Sequence, residues 1–416
     1  MKSMTCAFRS IPSLARNRGP VWFLLGFALL LFALPASAQT EDPALDAPAR
    51  FLIETITVEG ADRPASREIV AKESRIATGT EVDEEDLRQA IYRVKRLPFV
   101  VDADFTLRKG SERGRYELVI RIEMASSIVV DLTGGRNFAA GYPLTLKGFD
   151  WYGTLGARRF IGSHGYAFGS IDRFRNLQVG YTQFHLFGPG SYLSLVTGKN
   201  LEDKTGSYGL SALAGKPLTA TQALRASVSY STSDQFDSGS ADLDWLFDTT
   251  DDPLLPAQGD ALSVSALYGS NDFSYRALDG SLFRFDNRNW QVAASARHYW
   301  PLASRHSVWG ELTAACYGFL QSQGGVTSHS SGEVGSVNAG YSWDLIRSQV
   351  GEPRNDLRFT TAAHFSGAKN QYPGFETGFA KSVLAIDMGL IYRRPQGSIS
   401  LTFTYLDEYY RRRLAQ

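Results

Sequence analysis

The chain has 416 residues and balances 43 Lys and Arg against 43 Asp and Glu, so its formal charge is zero. That balance argues against a nucleic-acid partner, which leaves a basic footprint on the protein that binds it. Of the 2 cysteines, Cys6 falls within a leader and only Cys316 remains, which excludes an internal disulfide in the processed chain.

The leader comes first. Lys2, Arg9, Arg16 and Arg18 precede an apolar run from Val21 to Leu34, and Ala36-Ser37-Ala38 follows it. A basic start, a short apolar stretch and an Ala-x-Ala site make a secretory signal peptide over residues 1–38, cut before Gln39. The run is shorter than the roughly 20 residues a spanning helix needs. A linker, residues 39–50, follows.

Residues 51–124 read as a small α+β domain. Phe51–Val58 alternates as a strand and stops at Gly60, and Ser66–Ser74 reads as a short helix. Asp83 can cap a second helix whose first turn holds Glu84, Glu85 and Asp86, where acids meet the positive end of the helix dipole. Leu87, Ile91 and Val94 recur at helical spacing, and Arg93, Lys95 and Arg96 close the last turn. Two strands, Val100–Leu107 and Tyr116–Ile122, complete the unit around a turn at Lys109–Gly114. The core is expected at Val82, Leu87, Ile91 and Val94.

From 125 to 416 the helical period gives way to alternating strands broken by Gly, Pro, Asn, Asp and Ser. Ile399, Leu401, Phe403 and Tyr405 share one face, opposite Ser400, Thr402 and Thr404. Leu224, Ala226, Val228 and Tyr230 oppose Arg225, Ser227 and Ser229. Apolar outside and small polar inside is the pattern of a transmembrane barrel, whose closed sheet pairs every backbone group in lipid. A soluble β-sandwich alternates too. Strands near ten residues, against about five or six in soluble proteins, lean towards the membrane. So do aromatic residues at strand ends, such as Tyr299-Trp300, Tyr392 and Tyr409-Tyr410. At about 18 residues per strand and turn the region suits about 16 strands, between 14 and 16, with an even number favoured. The fold class is therefore mainly β: a small α+β domain, then a transmembrane antiparallel barrel.

The stretch TGTEVDEEDLRQAIYRVKRLPFVVDADFTL, with Gly79, Val82, Leu87, Ala90 and Phe99, resembles a POTRA module of outer-membrane assembly factors. Four barrel strings resemble the BamA/TamA-like superfamily. LQVGYTQFHLFGPGSYLSLVTG (Leu177 to Gly198) matches an early hairpin, although Gln183-Phe184-His185 stand where Asp-Pro-Tyr is common. DTTDDPLLPAQG carries the family's turn at Asp251, Pro253, Leu254, Pro256 and Gly259, and ARHYWPL and RRPQGSISLTFTY resemble family strands. The resemblance implies a divergent member with a single POTRA domain, lodged in the bacterial outer membrane with that domain in the periplasm. It further implies that the domain binds client or partner polypeptide by strand addition, with outer-membrane lipid around the barrel and periplasmic accessory proteins as further partners.

One family element departs. In the superfamily a loop inside the lumen ends in Val-Arg-Gly-Phe/Tyr, its arginine pairing with wall acids. The corresponding stretch here is Val337, Asn338, Ala339, Gly340 and Tyr341, which lacks the arginine. Arg358, His364 and Asp387 are expected as lumen charges, with Arg358 a candidate partner for Asp387. The departure keeps a second reading open, a passive channel or structural barrel, beside assembly or translocation. No Gly-x-Ser-x-Gly elbow, His-Glu-x-x-His helix or phosphate loop occurs. The 6 histidines are scattered, so neither an enzyme, a cofactor nor a metal site is expected.

Overall fold

The computed structural model describes residues 49–407 except 141–149, 163, 174, 202–206, 234–235, 253–254, 277–281, 324–325, 349–353 and 373–374. The expected signal peptide, nearly all of the linker, Pro253, Leu254 and Tyr409-Tyr410 lie outside the described residues.

The N-terminal domain contains β1 (Phe51–Glu59), α1 (Pro64–Ser74), β2 (Glu81–Val82), α2 (Glu84–Lys95), β3 (Val100–Lys109) and β4 (Arg115–Met124). Helix α1 begins two residues before the expected Ser66, because Pro64 has its φ preset for a first turn and needs no partner there. Asp83 accepts from the Asp86 amide at 2.8 Å while Asp86 accepts from the Asp83 amide at 3.2 Å, a reciprocal cap built from two aspartates. The four-stranded sheet runs β2-β1-β4-β3, with β1 parallel to β4 and β3 antiparallel to it. Strand β2 is short enough to hide in a turn-like sequence. Both helices bury their apolar stripe on this sheet. Leu87, Val94, Val82 and Ile91 are buried with Ile53, Val70, Phe99, Leu118 and Ile120.

The barrel follows without a break: β5 (Ile128–Ala140), β6 (Asp150–Ile161), β7 (Gly165–Asp172), β8 (Asn176–Phe184), β9 (Tyr192–Asn200), β10 (Tyr208–Pro217), β11 (Gln222–Ser233), β12 (Phe236–Asp248), β13 (Gly259–Arg276), β14 (Leu282–Ala303), β15 (His306–Gln323), β16 (Val326–Ile346), β17 (Asp356–Tyr372), β18 (Phe375–Arg394) and β19 (Gly397–Asp407). Each strand pairs antiparallel with the next, and β19 closes on β5. The count is 15, near the expected 16 but odd, which corrects the expectation of an even number. An up-and-down meander of odd number brings its first and last strands together in the same direction, and the β5–β19 pair is indeed parallel, from Gly397↔Val130 to Asp407↔Ala140.

Since β5 leaves the N-terminal domain, the turns after β6, β8, β10, β12, β14, β16 and β18 share the domain's end of the barrel. The wall is uneven. Strands β7 to β10 have 8 to 10 residues, whereas β14, β16 and β18 have 20 to 22.

Candidate functional site

The outer face is apolar. Leu224, Val228, Tyr230, Val264, Tyr268, Trp290, Val292, Val337, Phe365, Ile386, Met388 and Ile399 are all exposed. On β14 the outward Trp290 and Trp300 are ten residues apart, about 34 Å along the strand and roughly 25 Å in height at a tilt of ~40°. That is the height of an outer-membrane apolar band. Above Trp290 the strand continues to Leu282, a further ~20 Å in height at the same tilt. No helix among the described residues is long and apolar enough to cross a membrane, which says nothing of strands.

The inner face carries a polar chain across five adjacent strands. Arg297 on β14 pairs with Glu311 on β15 at 2.8 Å, and Asn338 on β16 donates to Glu311 at 2.9 Å. The Asn338 carbonyl lies 3.1 Å from His364 Nδ1 on β17, and His364 Nε2 lies 2.7 Å from Asp387 on β18. Asn338 donates its amide to Glu311 and turns its oxygen to the ring, so one neutral side chain bridges the two neighbouring strands. Hydroxyl pairs flank the chain: Thr313 with Ser336 at 2.7 Å, Ser263 with Ser295 at 2.8 Å and Ser229 with Ser240 at 2.7 Å.

This geometry corrects the loop assignment. Val337, Asn338, Ala339, Gly340 and Tyr341 lie mid-strand in β16, paired on one side with β15 and on the other with β17. The stretch alternates Val337, Ala339 and Tyr341 with Asn338 and Gly340, which suits a wall and not a loop. Arg358 is buried and forks onto Asp344 at 2.5 and 3.1 Å, with a further bond to the Pro256 carbonyl at 2.8 Å. Asp387 takes His364 instead of Arg358.

A second cluster sits where the N-terminal domain meets the rim. In the turn after β12, Asp251 accepts the amides of Ala257 at 2.8 Å and Gln258 at 3.1 Å, and Asp252 accepts that of Leu255 at 3.0 Å. Gly259 has φ +105, and a Cβ there would stand 2.5 Å from the Thr249 carbonyl, so the turn requires glycine. Arg354, ahead of β17, bonds Asp252 and Asp356 and lies 3.4 Å from Asp102 of β3. Its backbone amide donates to Glu123 of β4 at 2.8 Å. Three carboxylates around it hold its guanidinium well above the ordinary arginine range despite burial, and burial pushes Glu123 up. Arg393, at the end of β18, lies 3.5 Å from Asp252 and donates to the Val101 carbonyl of β3 at 3.3 Å. On α2, Tyr92 donates to Asp248 at 2.9 Å, and Arg96 pairs with the same carboxylate at 2.6 Å. Burial raises the Tyr92 phenol far above its usual range.

Beside this junction lies a cavity of about 430 Å³, lined by Glu73, Arg93, Tyr166, His185, Tyr192 and Arg225 among others. Glu73 is 3% exposed, and burial raises its carboxyl and lowers the His185 imidazole, so desolvation disfavours charge on both. These cross-domain partners leave no local signal, since Asp252, Arg354 and Asp102 are far apart in the chain.

No protein-family model and no curated protein matches this sequence. Among solved structures, the chain is similar to BamA from Haemophilus ducreyi lacking POTRA domains 1–3. The TM-score is 0.42 at 13% identity, over 87% of this chain and 82% of that one. At that score and identity the likeness says nothing about what any residue does.

Proposed function

We propose that this chain is an outer-membrane barrel protein that acts in the assembly or translocation of polypeptides. In this reading the N-terminal domain is a POTRA-type module in the periplasm that takes up an extended client or partner by strand addition. One observation carries it. Strand β3 is ten residues long and forms the edge of its sheet, with β4 its sole strand partner among the described residues. An edge of that length presents backbone donors and acceptors ready to pair with another chain. The apolar belt of bilayer height supports the location, and no catalytic step is part of the reading.

The test is photo-crosslinking in cells from Thr106 on β3, with the central Leu118 on β4 as control, read by mass spectrometry. Exported polypeptides captured from Thr106 but not from Leu118 support strand addition. Labelling from neither position, in a chain still folded in the outer membrane, refutes it.

A passive channel is favoured by a different observation. Two lumen acids already have partners on the wall, Glu311 in an ion pair with Arg297 and Asp387 at 2.7 Å from His364 Nε2, so neither needs an arginine from a loop as its partner. Steady ion conductance by purified protein without any polypeptide would favour this second reading.

A further inference from the structure

The first residues of the β3 edge do not stand open. Arg393 of the barrel donates to the Val101 carbonyl at 3.3 Å, and the Ala103 amide donates to the neighbouring Asp102 carboxylate at 2.9 Å. Asp102 is held from both sides, by Lys95 of α2 at 3.1 Å and by Arg354 of the barrel at 3.4 Å. A strand laid along β3 from its start would have to take the Val101 oxygen from Arg393 and the Ala103 amide from Asp102. The rest of the edge, from Asp104 to Lys109, forms no hydrogen bond with the barrel among those found in the described residues.

We propose that this cluster is an autoinhibitory clamp: barrel arginines cap the start of the domain's edge strand, and an extended polypeptide adding to β3 displaces them and releases the domain from the rim. The inference rests on the reading that β3 is the docking edge. Two features make the clamp releasable. Arg393 is buried, yet its Nη1 has no hydrogen-bond partner among the described residues, being 3.5 Å from Asp252 without bonding geometry. Its partner Asp252 is shared with Arg354, so losing Arg393 does not strand that carboxylate. Arg354 holds Asp252 and Asp356 on the barrel side and Asp102 and Glu123 on the domain side, so it couples edge occupancy to domain attachment.

The experiment uses the full chain in outer-membrane vesicles with two readouts. The first is crosslinking from Thr106 to a synthetic extended peptide of alternating apolar and polar residues. The second needs no peptide: a spin-label distance between Glu112→Cys on the domain and Ser304→Cys on the rim, in a Cys316→Ser background. Arg393→Gln and, separately, Asp102→Ser are compared with the parent, all confirmed as folded by heat-modifiable gel migration. Each variant should crosslink about tenfold more peptide at subsaturating concentration, the factor one charge-assisted hydrogen bond is worth in competition. Each should also broaden the spin-label distances, and saturating peptide should broaden those of the parent.

Parent and variants that crosslink equally, with unchanged distances, overturn the clamp and leave strand addition standing. Broadened distances in the variants with no peptide captured by any chain overturn strand addition at β3, and the proposed competition with it. Should Arg393→Gln fail to fold, Asp102→Ser decides alone, since it removes only a partly exposed carboxylate.

Discussion

Gly397 offers a sharp test of the closed, odd-stranded architecture. It opens β19 with φ +152, and a Cβ at this position would stand 1.8 Å from the Val130 carbonyl of β5. That obstacle is backbone, so it cannot swing aside as a side chain would. Gly397→Val forces the turn before β19 away from β5, where Val130 donates to Gln396 at 2.9 Å and Ser126 donates to Pro395 at 3.0 Å. Backbone strain costs about 1–2 kcal/mol, and the two hydrogen bonds contribute about 1 kcal/mol each. The total of roughly 3–4 kcal/mol should lower the temperature at which the unheated, fast-migrating gel band disappears by roughly 5–10 °C. Gly389→Ala on β18 is the control, because its nearest neighbour at 2.4 Å is the movable Thr360 hydroxyl. If Gly397→Val melts with the parent while folded in the membrane, the parallel β5–β19 closure is wrong.

Other outcomes follow from the same contacts. Leu87→Asp places a carboxylate in the domain core at a site 1% exposed; it should cost several kcal/mol, and limited proteolysis should then remove the domain while the barrel stays intact. Glu73 is raised by burial, so the stability it lends is present below its unfolded value near 4.5 and is lost as pH rises through the higher folded value. Hydrogen exchange in the 185–191 turn should therefore speed up towards neutral pH in the parent beyond its intrinsic rise, and Glu73→Gln should abolish that excess. Arg297→Gln uncovers Glu311 in the lumen and should shift the zero-current potential towards cation selectivity, with Glu311→Gln restoring it. Equal potentials in all three chains would show that the pair does not face the conducting path.

Much of the wall was legible because a closed sheet with an apolar outer face and a polar inner face imposes a period of two on every strand. Leu224, Val228 and Tyr230 lie outward as their alternation requires, and Arg225 pairs inward with Asp244 at 3.1 Å. The domain was legible for a different reason: Asp83, the acidic first turn and the Leu87–Ile91–Val94 stripe are local signals that tertiary packing reinforces. The strand number was not legible to the last unit. Strands vary from 8 to 22 residues, so a mean length per strand cannot separate 15 from 16. Evenness follows only when the closing strands run antiparallel, and nothing local records which way they meet.

The misplacement of Val337–Tyr341 has a more instructive cause. Glycines, serines and an asparagine between 332 and 342 imitate loop composition, yet their parity is that of a strand whose inner positions must be small or polar. Trp309 lies against the position a Cβ of Gly340 would take, so the glycine makes room for a lumen aromatic and does not mark a turn. Asn338 serves the wall in the same way, as the neutral link between Glu311 and His364. A loop arginine would meet acids already occupied by neighbours one strand away. Such pairing arises from register, and register joins residues remote in sequence. Arg354 and Arg393 illustrate the same point at the rim, where one carboxylate, Asp252, draws them from the segment ahead of β17 and the end of β18 to the turn that closes β12. The turn motif is visible in the sequence as Asp251, Pro256 and Gly259, but those residues shape the loop, while the neighbouring Asp252 binds what lies beneath the domain.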